Sequence, residues 1–241
     1  MTVYRYLITL FFIWINLSIA APFITFAFAK GIRNFDLENA LNGLVANTSP
    51  QGSRYFGGYA EKANPAAGFE YEKKGYISIE NKLHGLHGEA VSSLCLYNSY
   101  HDWCIAQMAL GLGRLDTYRR FKAGALNYQN VIWPEKQSAW VRMGNGAWLP
   151  NFSSSAKTLE QKGFCETSAA IATFFVPHDP VGFADLIGGR DKTAAMLDRQ
   201  FQNVEEYNFY HQGSIHGDAV VDYANQDGTG MAHFFNRIGY P

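Results

Sequence analysis

Glu166 is the residue whose surroundings best suit acid–base chemistry. It lies in Phe164-Cys165-Glu166-Thr167-Ser168-Ala169, and a second run, Phe174-Phe175-Val176-Pro177-His178-Asp179, follows closely. A single carboxylate among mostly apolar and aromatic neighbours loses hydration on burial. That disfavours the charged form and raises the pKa, as a general acid working near neutral pH requires. Read from the residues alone, a helix-capping glutamate is the commoner explanation of such a position.

Other residues carry weaker signals. Trp133, Trp140 and Trp148 lie in the segment from Val131 to Lys162, which has no helical period. Loops of that length tend to be functional, and indole rings there offer stacking surfaces for sugars. The alternative is that they seal the loop onto the body of the protein, which suits Trp133 and Trp140 better. His84 and His87 stand three apart, a metal-like spacing that in a loop is more often simply solvated. His178 and Asp179 read as a loop corner followed by a helix cap. The three cysteines, Cys95, Cys104 and Cys165, allow at most one disulfide and contain no C-x-x-C pair, so a structural zinc site is not expected.

These residues must be positioned by helices. Phe23 to Arg33 is apolar without strand alternation, and Asp36 caps a short helix running to Leu44. A loop rich in Gly, Ser, Asn and Pro is expected from about Asn47 to Gly75. Glu89 to Leu112 carries apolar residues at helical spacing, and Asp116 opens a further helix to about Tyr128. Helical signal returns at Cys165–Phe175. Asp179-Pro180 is a cap with a first-turn proline, and Gly188-Gly189 ends that helix. Lys192–Phe201 and Thr229–Ile238 complete the set. Successive helices with little strand argue against a Rossmann sheet and for an all-α fold.

Composition agrees. The 241 residues are 47% hydrophobic and 17% charged with a net charge of -1, which gives no electrostatic reason to expect nucleic acid as partner. Arg5, an apolar run from Leu7 to Ile15, and Ser18-Ile19-Ala20 form a signal-peptide pattern too short for a membrane span. The division expected is a signal peptide over 1–20 and a helical domain over 21–241, in a secreted, periplasmic or extracellular protein. The alternative for the leader is a buried helix of the domain, because apolar residues resume at Pro22. Sequons at Asn47-Thr48-Ser49 and Asn151-Phe152-Ser153 are compatible with export.

The Glu166 segment matches, without a gap, the spacing of F-T-E-G-N-A-W-Q-Y followed by F-V-P-H-D in glycoside hydrolase family 92, the calcium-dependent exo-α-mannosidases. Further motifs agree in order. Lys30-Gly31-Ile32-Arg33-Asn34-Phe35-Asp36 is similar to K-G-I-R-D-F-D, and Gly75-Tyr76-Ile77 to G-Y-I-P. Asp102-Trp103-Cys104-Ile105-Ala106-Gln107-Met108-Ala109 reproduces D-W-C-I-A-Q-M-A, and Asn127-Tyr128-Gln129-Asn130 is similar to N-Y-K-N. Arg142 with Gly146-Ala147-Trp148 follows M-R-x-x-x-x-D-G-x-W. Leu186-Ile187-Gly188-Gly189, then Met196-Leu197-Asp198, follow L-M-G-G and its L-D. From about Pro22 onward the chain resembles the family's helical catalytic domain.

The resemblance implies an all-α, partial (α/α)6 toroid acting on mannose-containing glycans. It places the catalytic acid on Glu166 and substrate contacts on Arg142, Trp148, Asn225 and Gln226. It implies an inverting mechanism, in which acid and base stand about 6.5–9.5 Å apart to admit the attacking water. It also implies Ca2+, held by oxygen ligands including Asn225 and Gln226 and helping to distort the sugar.

The chain departs from the family pattern in three places. Around Ala224-Asn225-Gln226-Asp227 the family reads G-N-E-P, so Gln226 lacks the glutamate's charge. Leu96-Tyr97-Asn98-Ser99-Tyr100-His101-Asp102 lacks the glutamate of L-E-Y-A-Y-D-D. Ala170 and Ile171 replace a tryptophan and a glutamine beside Glu166. In relatives the segment bearing the catalytic base follows the point matched by Ile238-Gly239-Tyr240-Pro241, and a β-sandwich precedes the domain. The expectation is therefore an incomplete catalytic domain in which another carboxylate, such as Asp222 or Asp227, would have to act as base. The alternatives are a non-catalytic sugar- or partner-binding remnant or a truncated gene product. The leader pattern makes one firm prediction. Mass spectrometry of the exported protein should find Ala21 as the first residue, and a mature product retaining Met1 would contradict it.

Overall fold

The computed structural model describes residues 17–55, 64–82, 88–154, 161–206, 221 and 227–240. Helices dominate. They are α1 (Leu17–Ala29), α2 (Leu37–Ala46), α3 (Pro65–Lys74), α4 (Val91–Gly111), α5 (Leu115–Gly124), α6 (Ala169–Ala172), α7 (Pro180–Leu186), α8 (Arg190–Glu206) and α9 (Met231–Arg237). Among the described residues, strand is confined to a two-stranded antiparallel hairpin, β1 (Ile132–Trp133) and β2 (Ser138–Ala139), paired Ile132 to Ala139 and Trp133 to Ser138. The all-α expectation is what the chain adopts. No helix among the described residues is long and apolar enough to cross a membrane.

The 21-residue α4 organises the rest. It is buried on nearly every side, a pattern that marks an internal helix rather than an amphipathic surface one. Its first half contributes Val91, Cys95 and Leu96 to one core, shared with α3, the hairpin region and α6 to α9. Its second half contributes Cys104, Ile105 and Met108 to another, shared with α1, α2 and α5. The half-buried Phe175 packs against both cores.

On α1, Ala21, Thr25 and Phe28 form one buried stripe, and Thr25 Oγ1 donates to the Cys104 carbonyl at 3.2 Å. Gly111 lets Phe28 approach, since a Cβ there would stand 2.5 Å from the ring. The expected cleavage point after Ala20 falls within α1, and this stripe lies on its C-terminal side.

Several boundaries move. The stretch expected as loop from Asn47 to Gly75 contains α3, capped by Asn64, whose side chain accepts from Ala66 N at 3.1 Å, with Pro65 in the first turn. Gly75, at φ +75°, ends α3 in the left-handed conformation that glycine adopts most readily. The helix expected over Cys165–Phe175 shrinks to α6. The helix from Asp116 ends at Gly124, and Asn127–Asn130 turns as 3-10 helix instead. Asp36 caps α2 as expected, accepting from Asn39 N at 3.0 Å.

Two buried carboxylates lock α3 and α4 in place. Glu70 accepts from Lys74 Nζ at 2.7 Å, from Ser78 N and Oγ at 2.9 and 2.7 Å, and from Asn81 Nδ2 at 2.7 Å. Burial opposes ionisation, yet those donors hold the Glu70 carboxyl below its ordinary pKa. Asp102 pairs with Arg54 and accepts from Tyr71 Oη at 3.2 Å, with all three residues buried. Burial pushes the Asp102 carboxyl up, and the Arg54 charge pulls it back.

Removing one member of a buried ion pair leaves an uncompensated charge, at a cost of about 3–5 kcal/mol. Asp102→Ala should therefore lower stability by that order in chemical denaturation. The double variant Arg54→Met, Asp102→Leu should recover most of it; equal losses in both variants would contradict this reading.

Candidate active site around Glu166 and Asp227

The segment carrying Glu166 is hung on the N-terminus of α4. That terminus has no side-chain cap. Instead the Gly163 carbonyl accepts from Ser92 N at 2.9 Å and Ser93 N at 3.2 Å, satisfying two of the helix's first-turn amides. In return Ser93 Oγ accepts from Cys165 N at 3.1 Å. Gly163 sits at φ +92°, and a Cβ there would collide with the Val141 side chain. On the far side, Gln161 Oε1 accepts from Ala169 N at 2.8 Å, and Ser168 Oγ accepts from Ile171 N at 3.4 Å to cap α6.

Held from both ends, Glu166 adopts φ +49° and is half-buried. Left-handed backbone is uncommon for a residue with a side chain and costs about 1–3 kcal/mol, so it persists only where surroundings dictate it.

Asp227 faces this residue electrostatically. Its carboxyl is only 3% exposed and accepts a hydrogen bond at Oδ1 from the Tyr97 hydroxyl, which projects from α4. Burial, reinforced by the negative charge of Glu166 and opposed by the Tyr97 bond, pushes the Asp227 carboxyl up to about 7. The structure thus brings Glu166, Asp227 and Tyr97 together from three distant parts of the sequence. Tyr97 was not legible as a site residue. The one signal was that Leu96–Asp102 lacks the glutamate of the motif it resembles.

Arg142 and Trp148 form a separate unit. They pair through an isolated β-bridge, and the guanidinium lies 3.7 Å above the Trp148 ring centroid. Arg142 Nε donates to the Asn130 carbonyl at 2.8 Å, and another of its nitrogens donates to the Gly146 carbonyl. Trp148 also stacks on Trp133, with centroids 5.3 Å apart and planes 10° from parallel. Trp140 is buried, meets Trp133 edge-on at 5.1 Å and donates from Nε1 to the Leu149 carbonyl at 3.0 Å. Trp133 and Trp140 therefore seal the loop.

His178 stacks on Tyr100 at 5.6 Å with Nε2 placed 2.8 Å from the Ala125 carbonyl oxygen. Asp179 caps α7, accepting from Gly182 N at 3.0 Å. Asn225, Gln226, Asp222, His84 and His87 lie outside the described residues.

Calcium takes six to eight oxygen ligands. Among the described residues no three His, Cys, Asp or Glu side chains converge as a metal would need. Asp227 already gives one oxygen to Tyr97.

The described residues thus form a helical body that holds one carboxylate at the end of an internal helix. Residues 17–241 match the glycosyl hydrolase family 92 catalytic domain. The chain belongs to that family. A family GH92 α-mannosidase from Bacteroides thetaiotaomicron superposes with a TM-score of 0.69 at 25% identity, over 93% of this chain and 26% of that one. The same enzyme in complex with mannoimidazole gives 0.70 at 23% identity, over 92% and 27%. A family GH92 inverting mannosidase from that organism gives 0.65 at 26% identity, over 83% and 25%. The chain thus spans about a quarter of the length of these solved structures. No curated protein sequence matches it significantly.

A carboxyl whose folded pKa is raised from about 4 to about 7 binds its proton more tightly when folded. Its contribution to stability is full below the unfolded pKa and is lost as pH rises through the folded one. Asp227→Asn should therefore match the parent at pH 4 and exceed it at pH 8 by roughly 2–4 kcal/mol. Denaturant titrations at both values check this, and no difference at pH 8 would contradict it.

Proposed function

We propose that the chain carries the acid side of an exo-α-mannosidase site acting with inversion on terminal α-mannose of glycans. The observation that carries this is the strained, doubly anchored Glu166 beside a second carboxyl, in a chain of family 92. The mannoimidazole bound by a related α-mannosidase supports mannose as the sugar recognised.

In this reading Glu166 gives its proton to the glycosidic oxygen as the bond to the anomeric carbon breaks. Water must attack from the opposite face, and a positioned base that accepts its proton is typically worth about 10²–10⁴-fold. Calcium, if it serves this site, would draw on Asn225 and Gln226, and it would supply help in distorting the sugar ring. A non-catalytic sugar-binding role is the second reading, favoured by the loss of charge at Gln226.

An anionic nucleophile that needs no base separates the two halves of the mechanism. With α-mannobiose alone the chain should show no useful turnover. With added azide it should release mannose and form β-mannosyl azide, the departing oxygen taking its proton from Glu166. Glu166→Gln should abolish that rescue. Azide product that persists in Glu166→Gln, or that never appears with the folded parent chain, would remove Glu166 from the acid's role.

A further inference from the structure

The mannosidase reading leaves two Asn-X-Ser sequences without a role, Asn47-Thr48-Ser49 and Asn151-Phe152-Ser153. An asparagine in this pattern can accept an N-linked glycan in a secretory compartment. The glycan is bulky and hydrophilic, so a folded chain keeps it only where the surrounding structure still forms around it. The two sites differ in that respect.

Asn47 closes α2 and is half-buried. Its amide donates to the Gly43 carbonyl at 3.1 Å, and its own carbonyl accepts from Arg54 N at 3.1 Å. Thr48 is 3% exposed and its hydroxyl donates to the Val45 carbonyl at 2.8 Å. The Ser49 hydroxyl, which the pattern requires, donates to the Ala46 carbonyl at 2.7 Å. The chain returns so closely against this turn that a Cβ on Gly52 would stand 2.4 Å from the Asn47 carbonyl. Pro50 follows directly. A residue before proline is restricted towards extended backbone, so Ser49 has lost freedom before folding as well.

Asn151 is placed in the opposite way. It is exposed in a turn at φ +55°, a left-handed conformation that asparagine tolerates better than most residues. Ser153 is exposed too. Between them Phe152 packs inward, its ring centroid 4.7 Å from that of Trp140 and 6.0 Å from that of Phe164. The chain is fastened on either side. Leu149 N donates to the Val141 carbonyl at 2.9 Å, and the Leu149 carbonyl accepts from Trp140 Nε1 at 3.0 Å. Beyond the turn, the Ser153 carbonyl accepts from Gln161 Nε2. A group carried by the Asn151 side chain therefore displaces none of the packing that holds the loop.

We propose that Asn151 is an N-glycosylation site and that Asn47 is not, in a chain exported through a compartment that performs this modification. The donor is an oligosaccharide carried on a lipid pyrophosphate. Asn151 Nδ2 forms a bond to the anomeric carbon of its first sugar as the bond from that carbon to the pyrophosphate oxygen breaks. The lipid pyrophosphate leaves with the electron pair, and one Nδ2 proton passes to a base of the transferase. The proposal stands apart from the chemistry at Glu166 and does not depend on it.

The test is secretion of the full chain, with its own leader, from a eukaryotic cell line. Secreted protein is treated with peptide-N-glycosidase in heavy-oxygen water and its peptides are mapped by mass spectrometry. The oxygen label should appear at position 151, marking conversion of the glycosylated asparagine to aspartate, with position 47 still an unlabelled asparagine. Ser153→Ala should abolish the modification. Asn151→Asp should do so as well, while keeping a residue tolerant of left-handed backbone. Circular dichroism of both variants should match the parent, and the labelled parent decides the site even where a variant misfolds. Secreted, folded protein bare at Asn151 overturns the proposal. So does a glycan on Asn47, a glycan that persists in Ser153→Ala, or a chain that stays in the cytosol unmodified.

Discussion

Burying α4 on nearly every side is the constraint to which the rest of the molecule answers. A helix sunk this deep cannot leave polar groups unpaired without losing about 1–3 kcal/mol for each. Its sequence nevertheless brings Ser92, Ser93, Ser99 and Asp102 into the interior. Each finds a partner from another element, whereas Nδ2 of the buried Asn98 on the same helix makes no hydrogen bond among the described residues. Ser92 Oγ reaches the Trp140 carbonyl, Ser99 Oγ reaches the Ala125 carbonyl, and Asp102 takes Arg54 and Tyr71. These pairings fix where the loops run. The tryptophan-rich loop, the turn before Asn127–Asn130 and the Arg54 segment are each tied to a different level of one helix.

The candidate site follows from the same arrangement. Glu166 takes left-handed backbone beside the first amides of α4, and the Asp227 carboxyl is pushed up by burial against Tyr97 of the same helix. Strain at one residue and a displaced proton equilibrium at the other are features that folding alone would select against. Their coincidence within one electrostatic neighbourhood is what makes the region a candidate site.

Much of the fold was legible in the sequence, because α4 and the caps at Asp36 and Asp179 rest on local chemistry. The helix α3 was not, since glycine, serine and asparagine around it masked the Asn64-Pro65 start signal. Shortening of the expected Cys165–Phe175 helix to four residues was also hidden. The Gly163 carbonyl is spent on α4, and the left-handed backbone at Glu166 prevents a helix from beginning there. The place of Glu166 in its motif was read from spacing, whereas its left-handed backbone was not. The Tyr97–Asp227 bond joins residues 130 positions apart, and no local pattern announces a contact of that range. Asn225 and Gln226 remain sequence-based assignments.

The exchange between Gly163 and the first amides of α4 bears on motion as well as on shape. Those two amides can reach water only when the loop lets go, and the loop can let go only by baring the end of this internal helix. Release of the Gly163–Glu166 loop is thereby coupled to exposure of the first turn of α4.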